Sequence, residues 1–156
     1  MNSTELERRW ICNSLPEEMA DVNWGICHTT IKEVSQDSFI RIRLTSYGSY
    51  KFCFKSGHGS SRIEIDKEIS KSQYEELLEE YKDCHALDMK MAHYYDLQNH
   101  RKYDLKKLNN EGRYLIETEF ETELEMSQFQ LPFTGCTEVT EDPEWEFINI
   151  YRRELK

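Results

Sequence analysis

Apolar and polar residues alternate with a period of two over much of the chain. The clearest case is "RIEIDKE", where Arg62, Glu64, Asp66 and Glu68 fall on one side and Ile63, Ile65 and the following Ile69 on the other. That period places successive side chains on opposite faces of a β-strand. "ICHTTIKEV", "SFIRIRLTS", "SYKFCFKS" and "SRIEIDKEIS" read as short strands rich in β-branched and aromatic residues. "YGSY" and "SGHGSS" supply the turn chemistry between the later ones. The period then changes. In "SKSQYEELLEEYKDC", Tyr74, Leu77, Leu78 and Tyr81 are spaced i, i+3, i+4, i+7 behind a Ser70 or Ser72 cap, which predicts an amphipathic helix. Alternation returns in "LDMKMAHYYDLQ", "HRKYDLKKL" and "RYLIETEFETE", with "NNEG" as a turn between the last two.

Three further segments are read from local signals. "NSLPEEMADVNWG" is a connection with one helical turn, and "ETELEMSQFQ" predicts a short helix. "EDPEWEFINIYRREL" predicts a terminal helix with Asp142 as cap and Pro143 at its first position. Its stripe of Trp145, Ile148 and Tyr151 or Arg152 is suited to docking on a sheet. The opening "TELERRW" is ambiguous. Thr4-x-x-Glu7 fits a capping box, yet as a strand the segment sets Glu5, Glu7 and Arg9 on one face against Leu6, Arg8 and Trp10. About eight strands with little edge protection and two or three helices predict a mainly β (α+β) fold. Its sheet is expected to close into an eight-stranded antiparallel barrel, in a single domain spanning 1–156.

Composition narrows the function classes. The net charge of −10 disfavours general binding to nucleic acid or anionic lipid. Nine Tyr, seven Phe and three Trp among 156 residues argue for a folded chain despite a mean hydropathy of −0.80. Five cysteines without zinc-site spacing are expected to be reduced thiols. No apolar leader and no membrane-length apolar run is present, so a cytoplasmic setting is expected. The five histidines are expected to be ordinary surface residues, most of them in or beside turns.

The charged rows give the candidate chemistry. Glu5, Glu7, Glu64, Asp66, Glu68, Asp104, Glu117, Glu119 and Glu121 are nearly balanced by Arg9, Arg41, Arg43, Lys55, Arg62, Lys90, Lys102 and Lys106. If the charged rows face inward, the lumen must be solvated and internally paired, since unpaired buried charge costs several kcal/mol per ion. Carboxylate rows suit Mg²⁺ or Mn²⁺, and guanidinium and ammonium groups suit phosphate oxygens. A metal-bound polyphosphate fits both.

"ELERRW", "RIRLT", "FKSGHGSSRIEIDKEIS", "YLIETEFETELE" and "TEVTEDPEW", in this order, resemble the CYTH family of triphosphate tunnel metalloenzymes. The family includes class IV adenylate cyclases, thiamine triphosphatases and inorganic tripolyphosphatases. The resemblance implies an eight-stranded tunnel and resolves the opening segment as a strand. It implies metal-binding acids at Glu5, Glu7, Glu117 and Glu119, with Mg²⁺ or Mn²⁺ as cofactor. It also implies phosphate clamps at Arg9, Arg41, Arg43, Lys55, Arg62 and Lys90, acids at Glu64 and Asp66 that orient water or hold a second metal, and a lumen aspartate at Asp104. Two departures stand out: Arg9 replaces the family's usual lysine, and Ala92 stands where an arginine clamp is expected, with His93 pointing away from the lumen. The expected function is metal-dependent hydrolysis of a small triphosphate or polyphosphate, catalysed around Glu5, Glu7, Arg9, Glu64 and Asp66. A cyclase and a non-catalytic capture protein are the alternatives. The sequence sets no oligomeric state.

Overall fold

A computed structural model describes the backbone of residues 2–155 and side chains from Thr4 onward. The strands are β1 (Asn2–Cys12), β2 (Gly25–Ser35), β3 (Ser38–Leu44), β4 (Tyr50–Ser56), β5 (Ser61–Ile69), β6 (Ala86–Asp96), β7 (Arg101–Leu108), β8 (Arg113–Phe120) and β9 (Cys136–Glu138). The helices are α1 (Lys71–Glu80), α2 (Glu123–Gln128) and α3 (Phe147–Glu154). Every pairing is antiparallel, in the order β5-β4-β3-β2-β6-β7-β8-β1, and β1 returns to pair with β5, so the sheet closes on itself. One edge of β1 pairs with β8 from Leu6 to Cys12. The other is shared, by β5 along Asn2 to Leu6 and by the short β9 along Trp10 to Cys12. β9, which local sequence signals do not announce, thus covers the part of β1 that the offset of β5 leaves free.

α1 begins in a capping box: Ser70 accepts from the Gln73 backbone N–H while the Gln73 side chain accepts from the Ser70 N–H. Its buried Tyr74 packs on Tyr50, ring centroids 4.9 Å apart. The outer face of β1, β6, β7 and β8 carries an apolar core of Cys12, Ala92, Tyr103, Leu105 and Ile116. It is covered by the 13–24 connection, through Met19, and by Phe129, Leu131 and Phe133.

The C-terminal segment departs from expectation at its start. Asp142 does cap and Pro143 does start a turn, but it is a 3-10 turn that ends at Trp145. Glu146 is extended (φ −75°, ψ 148°), and α3 begins only at Phe147. The apolar stripe docks on the sheet, as expected, and does so inside the ring. Phe147, Ile148, Ile150 and Tyr151 bury against Ile11, Ile31, Phe39, Met89, Leu108 and Leu115. These strand residues lie on the inward face, as the register places Ile11 opposite Leu115 and Thr29 opposite Leu87 in the same rows as the inner charges. The passage is therefore closed at one end by an apolar floor.

The expectation of five reduced thiols holds for Cys27, Cys53 and Cys84 and fails for Cys12 and Cys136, which form a disulfide across 124 residues of sequence. Their direct pairing between β1 and β9 brings the two together. Among the described residues no helix is long and apolar enough to cross a membrane.

Candidate active site

The open end of the ring leads into a cavity of about 1330 Å³ lined by the inward rows of the strands. β1 contributes Glu5 and Glu7, β5 contributes Glu64 and Asp66, and β8 contributes Glu117 and Glu119, which together make a carboxylate wall. Next to it along the sheet, β4 presents Lys51 and Lys55 and β3 presents Arg41 and Arg43. The antiparallel register explains the clustering: Glu5 lies opposite Arg62, Arg9 opposite Glu117, and Glu7 opposite Glu119. Asp104 also lines the cavity, as expected.

The deepest charges are neutralised by one another. Arg62 donates to Glu5 at 3.0 Å and to Glu7 at 2.6 Å, and Arg9, fully buried, donates to Glu7 at 2.9 Å. Lys106 donates to Glu117 at 2.5 Å. Lys55 lies 3.2 Å from Glu5 and 3.3 Å from Glu64. Arg41 and Lys106 also sit over the ring of Phe147, at 4.8 and 5.3 Å, so the plug supplies a π face beneath two cations.

Two groups here have the chemistry to take a ligand. The first is a carboxylate cluster: oxygens of Glu5, Glu64 and Glu119 lie within 4.8 Å of one another. Burial and a hydrogen bond from its own proton to Glu5 push Glu64 up to about 8, and burial with the fields of Glu5 and Asp104 pushes Glu119 up to about 7. Glu5 goes the other way. Burial opposes its ionisation, but Lys55 and Arg62 outweigh that and lower it to about 2. The second group is Arg43, whose Nε donates to Thr29 Oγ1 at 3.3 Å while its buried Nη2 has no partner. Burial and the adjacent Arg41 lower Arg43 to about 9. An all-oxygen donor set of three carboxylates fits a hard divalent cation, and an unpaired buried guanidinium nitrogen fits an anionic oxygen.

Of the four acids expected to hold metal, Glu5 and Glu119 converge with Glu64. Glu7 and Glu117 stand outside that cluster, paired with Arg9, Arg62 and Lys106, and Glu5 is itself paired with Lys55 and Arg62.

The sixth strand corrects the sequence reading by one residue. Lys90 pairs with Ile26 and Lys107 on the outward row and is exposed, so it is no phosphate clamp. Ala92 belongs to the outer apolar core, and the argument that it marks a lost clamp falls with it. The inward residues are Met89, Met91 and His93, opposite Cys27, Lys106 and Asp104. His93, expected to point away, meets Asp104 through Nδ1 at 2.7 Å. Lys106, which the sequence shows only as one member of a charged row, lines the cavity and pairs with Glu117. Its signal was its place two residues after Asp104 on the same face.

No family model matches the chain, and no curated protein sequence is similar to it. Solved structures are similar. The inorganic triphosphatase NE1496 aligns over 95% of this chain and 94% of its own, with 19% identity and a TM-score of 0.58. A candidate adenylate cyclase of Bacillus halodurans aligns over 81% of this chain and 85% of its own, with 15% identity and a TM-score of 0.55. PH1819 of Pyrococcus horikoshii OT3 aligns over 78% of this chain and 82% of its own, with 18% identity and a TM-score of 0.53. The closed antiparallel ring, its charged interior and these alignments make the fold of this chain that of the triphosphate tunnel proteins.

Proposed function

We propose that the protein hydrolyses a small triphosphate within its charged cavity. The observation that carries this reading is one space shared by three converging carboxylates, Glu5, Glu64 and Glu119, and the unpaired guanidinium nitrogen of Arg43. Mg²⁺ or Mn²⁺ would be held by those three carboxylates, and when bound it neutralises charge on phosphate oxygens in the transition state. Arg41, Arg43 and Lys55 grip the phosphate chain from the adjoining β3–β4 wall through charge-assisted hydrogen bonds. Arg62 and Arg9, held by Glu5 and Glu7, keep the carboxylate wall in register rather than facing substrate freely.

In the reaction a water oxygen bonds to the terminal phosphorus and the bridging P–O bond breaks. Orthophosphate forms, the remaining diphosphate departs, and the proton of the water passes to Asp66, the carboxylate next to Glu64 on the inward row of β5. The NE1496 inorganic triphosphatase, similar in fold, supports this reading, and the candidate adenylate cyclase of Bacillus halodurans, similar to nearly the same degree, makes a cyclase the alternative that the product assay separates.

The test is phosphate release from tripolyphosphate, ATP, GTP and thiamine triphosphate with Mg²⁺ or Mn²⁺, with products assayed as orthophosphate, diphosphate and cyclic nucleotide. Hydrolysis is expected, with Glu119→Gln and Glu5→Gln each lowering kcat by roughly a hundredfold or more, as when a developing charge loses its stabiliser. A folded protein that releases no orthophosphate from any of these under either metal removes the proposal.

A further inference from the structure

β6 and β7 bring a histidine and an aspartate together on the cavity wall. His93 and Asp104 are direct partners in the register, and both line the cavity. His93 Nδ1 lies 2.7 Å from Asp104 Oδ1, and each side chain is 35% exposed, so the dyad is built into the wall yet open to a ligand. A carboxylate only accepts, so Nδ1 carries the shared proton and Nε2 is the ring nitrogen left for a ligand. Lys102, two residues before Asp104 on the same row, lies 3.7 Å from that Oδ1. Met91 and Tyr95, the neighbours of His93 on its own row, bring no charge to it.

The place of this dyad in the ring matches it to one part of the reaction. Asp104 is close enough to the carboxylate cluster for its charge to act on Glu119. From β5, which carries Glu64 and Asp66, β6 is the fourth strand in either direction, past β4, β3 and β2 or past β1, β8 and β7. His93 therefore stands across the passage from Asp66, the acceptor of the water proton. Phosphoryl transfer sets the attacking and leaving oxygens roughly in line, on opposite sides of phosphorus. An acid for the leaving oxygen thus belongs on the wall that faces Asp66. Arginine does not give up its proton, whereas histidine exchanges one near neutral pH.

We infer that His93, oriented by Asp104, is the general acid that protonates the leaving diphosphate. This rests on the triphosphate reading of the cavity. As the bridging P–O bond breaks, its electron pair stays on the leaving oxygen and takes the Nε2 proton of the His93 imidazolium. Neutral imidazole remains, its Nδ1–H still on Asp104. Asp66 holds the proton of the attacking water, and exchange with solvent returns one proton to His93 and removes one from Asp66, so both residues end as they began. Asp104 is a positioning residue: it fixes the tautomer of His93 and stabilises the imidazolium.

The experiment measures kcat and KM for the fastest substrate among tripolyphosphate, ATP, GTP and thiamine triphosphate, in wild type, His93→Ala and His93→Arg, with and without added imidazole. His93→Ala should lower kcat by roughly a hundredfold, the scale of a lost general acid, with KM changed less than about twofold. Imidazole should restore about tenfold of that loss. His93→Arg keeps a cation at the site but has no proton to give, so it should be as slow as His93→Ala. Asp104→Asn should slow wild type by about tenfold and leave His93→Ala unchanged, because it acts only through the imidazole. Thermal melting verifies that each variant is folded. A kcat within about threefold of wild type in either His93 variant, or a His93→Ala loss that imidazole leaves untouched, overturns the inference while triphosphate hydrolysis stands. A wild type that releases no orthophosphate is a different failure: the triphosphate reading itself falls, and the acid role of His93 with it.

Discussion

The inner and outer faces of the same strands obey opposite rules. On β7, Tyr103 and Leu105 point outward into an apolar core, while Asp104 and Lys106 point into the cavity. The outer core is stabilised by non-directional burial, so size and apolarity suffice there. Around the cavity, above the apolar floor, the inner face is instead stabilised by specific pairs such as Arg62 with Glu5 and Glu7, where losing one member strands the others. A side chain one residue out of phase therefore meets a wholly different solvent, and the two faces fail differently when altered.

The largest expected effect lies inside. Arg62→Met removes the cation shared by Glu5 and Glu7, and breaking a buried pair costs about 3–5 kcal/mol. Denaturant unfolding should register this loss. A cost under about 1 kcal/mol would mean that the inner face tolerates unpaired charge. Outside, Ala92→Arg should destabilise by about 1–3 kcal/mol through overpacking, since Ala92 is only 4% exposed among Cys12, Tyr103 and Leu105. It should bring no gain in turnover or triphosphate affinity. Increased turnover in that variant would put position 92 in the cavity and reverse the register of β6.

A smaller, pH-dependent effect sharpens the contrast. Folding raises Glu64 to about 8 and Glu119 to about 7 from an ordinary 4.5, so the folded protein holds more protons than the unfolded chain between those values. Stability should fall as pH rises from about 5 to 8. Glu5, lowered to about 2, acts in the opposite sense, and the stability it contributes is lost as pH drops from about 4.5 toward 2. Melting temperature should therefore peak near pH 5, and added Mg²⁺ should raise it more at pH 8 than at pH 6, once the carboxylates are ionised. A flat profile across this range would dissolve the carboxylate cluster as a coupled unit.

The sequence made the charged strands legible because E-x-E and R-x-R rows put several like groups on one side, and no half-buried sheet places such rows in an apolar core. β6 was not legible in the same way. Alternation separates "LDMKMAHYYD" into two rows without saying which faces in, and Asp88 and Lys90 make the outward row look like the functional one. The pairing of Met91 with Gly25 and Lys106 decides it, and that is long-range information. The C-terminal stripe was equally visible, but its destination depended on an open end of the ring for Phe147 to enter. The Cys12–Cys136 bond was hidden by an odd cysteine count and by β9, which has only three residues.

The closure of β1 has a consequence for how the molecule is made. β1 is the first strand, yet its partners are β5, β8 and β9, and the floor of its cavity is α3. During synthesis β1 must wait for nearly the whole chain before its second edge is satisfied, while hairpins such as β3–β4 form as soon as they emerge. Folding of this ring should thus be late and slow, dominated by distant pairings. In that interval the unpaired edge of β1 is the segment most open to capture by another copy of itself.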